Sequence, residues 1–197
     1  MKFLTPLAMA LLATTLSAQD ARFGIQATVS KPSGDVGNKD WMDSKLGYGI
    51  GVHTLIPLSG GIAIVPRIDY TMYKNDRTID PFISENEKVK ILSGGADFQF
   101  YLSGEAGKGI YFLGGLGYAR GSFNSSYVAT GLTLTVDGTK GALYLQGGIG
   151  VNFTPSIGIE CRYQSIQFKD VETTYLGYTA TQDVSCPSLQ ASLVLRF

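Results

Sequence analysis

From Leu189 to the last residue, every second position is apolar: Leu189, Ala191, Leu193, Leu195 and Phe197. Between them stand Ser188, Gln190, Ser192, Val194 and Arg196. A period of two is the signature of a strand with unlike faces. The same alternation predicts strands over 22–30, 45–56, 62–73, 88–102, 109–122, 140–153, 156–168 and 186–197. Their connections alternate in length. "PLSGG" at 57–61, "SGEAGKG" at 103–109 and Thr154-Pro155 are short and carry turn residues. The segments 31–44, 74–87, 123–139 and 169–185 are long. No helix-period stretch or linker interrupts this order. It predicts an all-β fold, an eight-stranded antiparallel up-and-down barrel with both termini on the short-turn side.

The two faces have unusual chemistry. One parity collects Phe23, Ile25, Ala27, Val29, Tyr48, Ile50, Val52, Ile62, Ile64, Ile68 and Tyr70. It continues through Phe98, Phe100, Leu102, Ile110, Phe112, Leu116, Tyr118, Leu143, Leu145, Ile149, Val151 and Phe153. Ile157, Ile159, Tyr163, Leu193, Leu195 and Phe197 complete it. The other parity is glycine or polar: Gly24, Gly47, Gly49, Gly51, Gly95, Gly115, Gly117, Gly148 and Gly150, with Gln26, Gln99, Gln146, Asn152 and several charges. A soluble barrel keeps its apolar face inside and its polar face outside. With polar residues confined to a narrow lumen, the apolar parity must face lipid, and the barrel is transmembrane. Phe100, Phe112, Phe153 and Phe197 all fall near short turns, where an aromatic girdle belongs.

Composition agrees with that reading. Charged residues are 16% of the chain, glycines number 25, and the formal net charge is zero. No basic footprint for nucleic acid exists. The N-terminus, "MKFLTPLAMALLATTLSA", has one lysine, a short apolar core and a small residue at Ala18. This is the pattern of a secretory signal peptide over 1–18, too short to span a membrane. The barrel domain is then 19–197, destined for the outer membrane.

The whole mature chain resembles the small eight-stranded outer-membrane barrels of Gram-negative bacteria, the OmpA transmembrane-domain and OmpX-like class. The residues that carry the resemblance are the terminal "SLQASLVLRF", the eight-strand spacing and the leader. In that class a terminal aromatic after alternating apolar residues is recognised during insertion. The resemblance implies that Leu193, Leu195 and Phe197 form an assembly signal for the barrel-assembly machinery and periplasmic chaperones. Outer-membrane lipid and lipopolysaccharide are the implied surroundings, and the loops could meet an extracellular partner.

Candidate chemistry is sparse. "GYGIGV" and "GGLGYARG" look like phosphate-binding loops, but no helix follows either, so the anion site is lacking. His53 is the only histidine; typical metal sites use three or four ligands. Lipid A-modifying barrels of the deacylase class carry an outward histidine near the outer rim. His53 lies inward near a short turn, so neither enzyme, cofactor nor metal is expected. Cys161 and Cys186 fall on opposite parities and should not bridge; two buried free thiols are expected. In 123–139 and 169–185 the residues favour strands, and Asp137-Gly138 signals a tight turn. Solvated loops are the reading adopted, with a raised sheet as the alternative.

The inward charges are Arg67, Arg162 and Arg196 against Asp69, Asp97 and Glu160. A balanced set suggests a mutually neutralised lumen, whereas an ion-selective pore carries an excess of one sign. The function read from this is an envelope-structural or surface-interaction barrel with a plugged lumen. The alternative is a narrow small-solute channel.

The terminal pattern generates one prediction. Phe197→Ser, or deletion of Phe197, should leave periplasmic, protease-sensitive chain in cell fractions. Wild-type levels of heat-modifiable barrel in the outer membrane would exclude an assembly role for the ring.

Overall fold

The computed structural model describes residues 21–39, 42–80, 83–129, 132–175 and 178–197. The leader read in 1–18 lies outside them. Nine strands follow one another: β1 (Arg22–Pro32), β2 (Gly47–Pro57), β3 (Ile62–Asp80), β4 (Ile83–Tyr101), β5 (Gly109–Ala129), β6 (Leu132–Thr154), β7 (Ile157–Tyr175), β8 (Tyr178–Ser185) and β9 (Ser188–Arg196). Neighbours are antiparallel, β6 pairs with β7, β7 with β9, and β9 with β1. The wall therefore closes on itself and leaves no open edge at the level of the apolar band.

Two strands share the eighth wall position. β8 covers the upper half of β7 and β9 the lower half. The break falls at Cys186-Pro187, where proline has no amide to donate. Cys186 N donates to Ile166 O at 2.9 Å, and Ser33 N donates to Pro187 O at 2.8 Å, so the break is fastened on both sides. At the other end Phe197 N donates to Phe23 O at 2.8 Å, which brings the start of β1 and the last residue to the short-turn rim.

The faces are as the alternation requires. Ile50 is 68% exposed and Leu143 76%, whereas Asp97 is 0% and Arg162 1% exposed. Exposed phenylalanines (Phe23, Phe100, Phe112, Phe153 and Phe197) mark the short-turn rim, and Tyr48, Tyr70, Tyr118 and Tyr163 mark the opposite limit of the band. From Ile110 to Tyr118 eight steps cover roughly 27 Å along the strand. A tilt of about 40° reduces that to roughly 20 Å of height, close to one hydrocarbon thickness for a barrel. Pro66 sits mid-strand in β3, where the pairing with β2 skips from His53↔Arg67 to Ile56↔Ile64. Proline has no amide to donate, and the β2–β3 ladder lapses there opposite Thr54 and Leu55 before resuming in the same register.

Three expectations need correction. The segments 123–139 and 169–185 are not solvated loops but strand for most of their length, as in the alternative reading of a raised sheet. The long connection expected at 74–87 is mostly strand too. Pairing runs up to Asp80↔Ile83, Ala129↔Leu132 and Tyr175↔Tyr178. The Asp137-Gly138 signal does not mark a turn; Asp137 pairs with Asn124, and Gly138 lies opposite the inward Phe123. Strand-forming Thr, Tyr and Val in these stretches outweigh their polarity, because a raised strand needs only a paired backbone and a half-buried face. Second, Cys161 is exposed on the outward face of β7, so only Cys186 is a buried thiol. Third, the lumen is not polar throughout, as its two ends show below.

The raised strands form two separate pieces. β3 to β6 continue as one sheet, and β7 with β8 as a hairpin. β6 and β7 pair only up to Tyr144↔Ile166. Beyond that point β5 is flanked on both sides and β6 on one. Amide exchange in the folded barrel should therefore protect nearly all of 120–126, but only alternate residues of 137–143. Uniformly fast exchange in both stretches would contradict the raised sheet.

Candidate functional site: the charged lumen

An eight-stranded wall encloses only enough space for side chains. Charged groups there have little water and must be answered by partners. Arg67 on β3 sits at the centre. Its guanidinium reaches Asp97 Oδ2 on β4 at 2.6 Å and Glu160 Oε1 on β7 at 2.9 Å. Arg162, two residues along β7, meets Glu160 Oε1 at 3.5 Å and Asp69 Oδ2 on β3 at 3.3 Å.

Amides extend the network and close it. Gln146 Nε2 donates to Asp97 Oδ1 at 2.5 Å, and Gln164 Nε2 donates to Gln146 Oε1 at 3.4 Å. Gln190 Nε2 donates to Gln164 Oε1 at 3.0 Å, and Arg162 Nε donates to Gln190 Oε1 at 2.7 Å. The contacts thus return to Arg162 after visiting β3, β4, β6, β7 and β9. Gln26 on β1 joins by donating to Asp69 Oδ1 at 2.6 Å, and Tyr111 on β5 donates to Glu160 Oε2 at 3.1 Å. A cyclic network of this kind keeps every carboxylate within reach of a donor, the condition under which buried charge is tolerated.

Arg196 stands apart from the other inward charges. Its Nη1 donates to Asn152 Oδ1 at 2.6 Å, and among the described residues it makes no ion pair. It therefore belongs to a lower layer with Asn152, Tyr101 and the buried His53, whose Nδ1 and Nε2 have no hydrogen-bond partner. The expectation of one network including Arg196 is corrected on this point. β9 is nonetheless tied into the main cycle, through Gln190. Among the described residues no three His, Cys, Asp or Glu side chains are grouped as metal ligands.

The inward glycines make room for these groups. Asp69 lies directly opposite Gly51, and Asp97 opposite Gly115. A Cβ at either glycine would overlap the facing carboxylate oxygen. A Cβ at Gly117 would meet the Tyr144 ring, and one at Gly148 would meet Cys161 O and the base of Arg162. Asp69, Asp97 and Tyr144 thus lie across their cross-strand glycines, and the charged heads meet in the middle.

Apolar layers close both ends, a feature that alternation alone did not disclose. Toward the short turns, Leu55, Ala63, Val65, Tyr101, Tyr111 and Leu113 cluster, with Ala106 packed against them. Toward the raised strands a larger cluster holds Tyr73, Ile91, Phe123, Tyr144, Phe168 and Val184. Phe123 and Phe168 meet edge to face at 5.3 Å. The segment after β1 folds into this layer, burying Val36 and Met42. Asp35 Oδ2 holds it there by accepting from Ser185 N at 2.7 Å, and Asn75 Nδ2 donates to Met42 O at 2.6 Å. The sequence signal was present: Val36 and the pair Trp41-Met42 are apolar in an otherwise polar stretch.

Adjacent glycines on opposite faces test the packing. Gly115→Ala should lower unfolding stability by about 1–3 kcal/mol, as overpacking does. Gly114→Ala, which meets nothing within 4 Å on the outer face, should be neutral or slightly stabilising. Equal effects of the two in urea unfolding would refute the account of the glycines.

Comparison with known proteins agrees with this architecture. The sequence model of the outer membrane protein beta-barrel domain matches residues 3–197. No curated protein matches the chain significantly in sequence. Among solved structures, the attachment invasion locus protein Ail of Yersinia pestis, in complex with the heparin analogue sucrose octasulfate, is similar at 15% identity. The match covers 90% of this chain and 97% of that one, with a TM-score of 0.55. Neisserial surface protein A is similar at 17% identity, over 90% and 97% of the two chains, with a TM-score of 0.54. The N-terminal β-barrel domain of Pseudomonas aeruginosa OprF is similar at 11%, over 89% and 97%, with a TM-score of 0.55. At such identities the likeness is one of fold. Together with a family match over nearly the entire sequence, it leads to one assignment: the chain belongs to the outer membrane protein β-barrel family.

Proposed function

We propose that this chain is a non-conducting envelope barrel that meets partners through its raised strands. The observation that carries the reading is the closed side-chain cycle around Arg67 and Arg162, held between two apolar layers. An ion crossing it must break buried charge pairs and also pass the aromatic side chains of both layers.

The raised strands supply the interaction surface. β6 beyond Tyr144 and β7 beyond Ile166 present unpaired edges to one another, and β8 pairs with β7 alone among the described residues. Such edges accept an added strand from a partner. Lys140 Nζ donates to Asp170 O across the gap at 2.9 Å, and Asp170 has a positive φ of 53° at an irregularity in β7. These features guard the edges against indiscriminate pairing. The attachment role named for Ail is consistent with a surface of this kind. Export by the leader in 1–18, and assembly through Leu193, Leu195 and Phe197, belong to the same proposal.

Planar-bilayer recording on the refolded protein tests it. The expected trace is closed, with rare, brief openings at most. A steady conductance in the unmodified protein would overturn the plugged-barrel reading and establish the narrow small-solute channel instead.

A further inference from the structure

At the rim where the lipid band ends, β3, β4 and β5 place an unusual set of cations on their outward face. Lys74 and Lys88 are directly opposite one another. Like charges at directly opposed positions are destabilising. Lys90 follows two residues along β4, and Arg120 stands opposite Leu92 on β5. That these side chains point outward follows from their buried neighbours Val89, Ile91 and Ala119.

The carboxylates close by are already engaged. Asp76 pairs with Lys74 at 2.6 Å and also accepts from Asn86, while Asp137 accepts from Asn124. Among the described residues no carboxylate reaches Lys88, Lys90 or Arg120. Immediately below lie Tyr70, Leu92 and Tyr118, all exposed and apolar toward the band. The patch is therefore cationic above and apolar below. Elsewhere among the described residues of this end stand Lys31, Lys39, Lys45, Lys140 and Lys169, and Lys140 is held by Asp170 O at 2.9 Å.

We infer that this face binds the phosphate groups of an outer-leaflet lipid, with Lys88, Lys90 and Arg120 as phosphate ligands and Tyr70, Leu92 and Tyr118 against its chains. Charge complementarity and continuity with the lipid band identify the occupant. A phosphate accepts the planar guanidinium fork of Arg120 and the point charges of the lysines together. The inference is independent of whether the lumen conducts.

Native mass spectrometry of the folded protein in neutral detergent, with added bis-phosphorylated lipid A, tests it. The variant Lys88→Gln/Lys90→Gln/Arg120→Gln should retain the lipid at least about tenfold less than wild type, given the usual attraction of each cation to an anionic headgroup. Lys31→Gln/Lys45→Gln/Lys169→Gln, the same charge change elsewhere on the rim, should retain it within about twofold. Dephosphorylated lipid should be held equally weakly by all three proteins. Equal loss in the two variants, or loss in neither, would overturn the site. Displacement of the lipid by millimolar inorganic phosphate would assign the patch to a free anion and overturn the lipid assignment. Folding is checked by heat-modifiable migration. Lys88→Gln alone should melt no lower than wild type in lipid-free neutral detergent; a lower melt would give Lys88 a structural partner and contradict the inference.

Discussion

An ionised side chain inside a wall of this circumference has almost no water to solvate it, and the rest of the structure follows from how that cost is met. Arg67 meets it by contacting Asp97 and Glu160 together, and Arg162 by contacting Glu160 and Asp69. Opening one pair strands a charge on an opposing strand, so the strands cannot shift register independently. Gly51 and Gly115 serve this arrangement by leaving space beside the carboxylates. The apolar layers above and below then keep solvent from competing for the same donors.

Much of this was legible in the sequence, for a definite reason. The outward face looks into a uniform apolar solvent, so each of its positions obeys one rule and alternation reads it directly. The inward charges were legible too, because an arginine or aspartate on the parity opposite a run of Ile and Phe has nowhere else to go. Which cation meets which anion was not legible. Strand tilt and register decide it, and they left Arg196 with Asn152 rather than a carboxylate.

The ends of the lumen were hidden differently. At Leu55, Ala63 and Val65 the inward residues are as apolar as their outward neighbours, so alternation loses contrast where the apolar layer begins. Phe123 opens a stretch whose polar residues suggested a loop and Phe168 closes a predicted strand, yet each is buried against the other from a distant strand. Local composition carries no record of that contact. The raised strands followed the same logic, since their pairing is backbone to backbone and the outward side chains remain free to be polar. That freedom lets the upper rim of β3–β5 collect cations that the fold itself does not use.

The central claim is that the lumen charges act as one coupled unit. A double-mutant cycle of Arg67→Met and Glu160→Gln, measured by reversible urea unfolding in lipid vesicles, addresses it most directly. The account predicts that each single variant costs about 3–5 kcal/mol. It also predicts that the double variant costs less than the sum of the singles by about 1 kcal/mol or more. Costs that add within about 0.5 kcal/mol, as for independent sites, would contradict it.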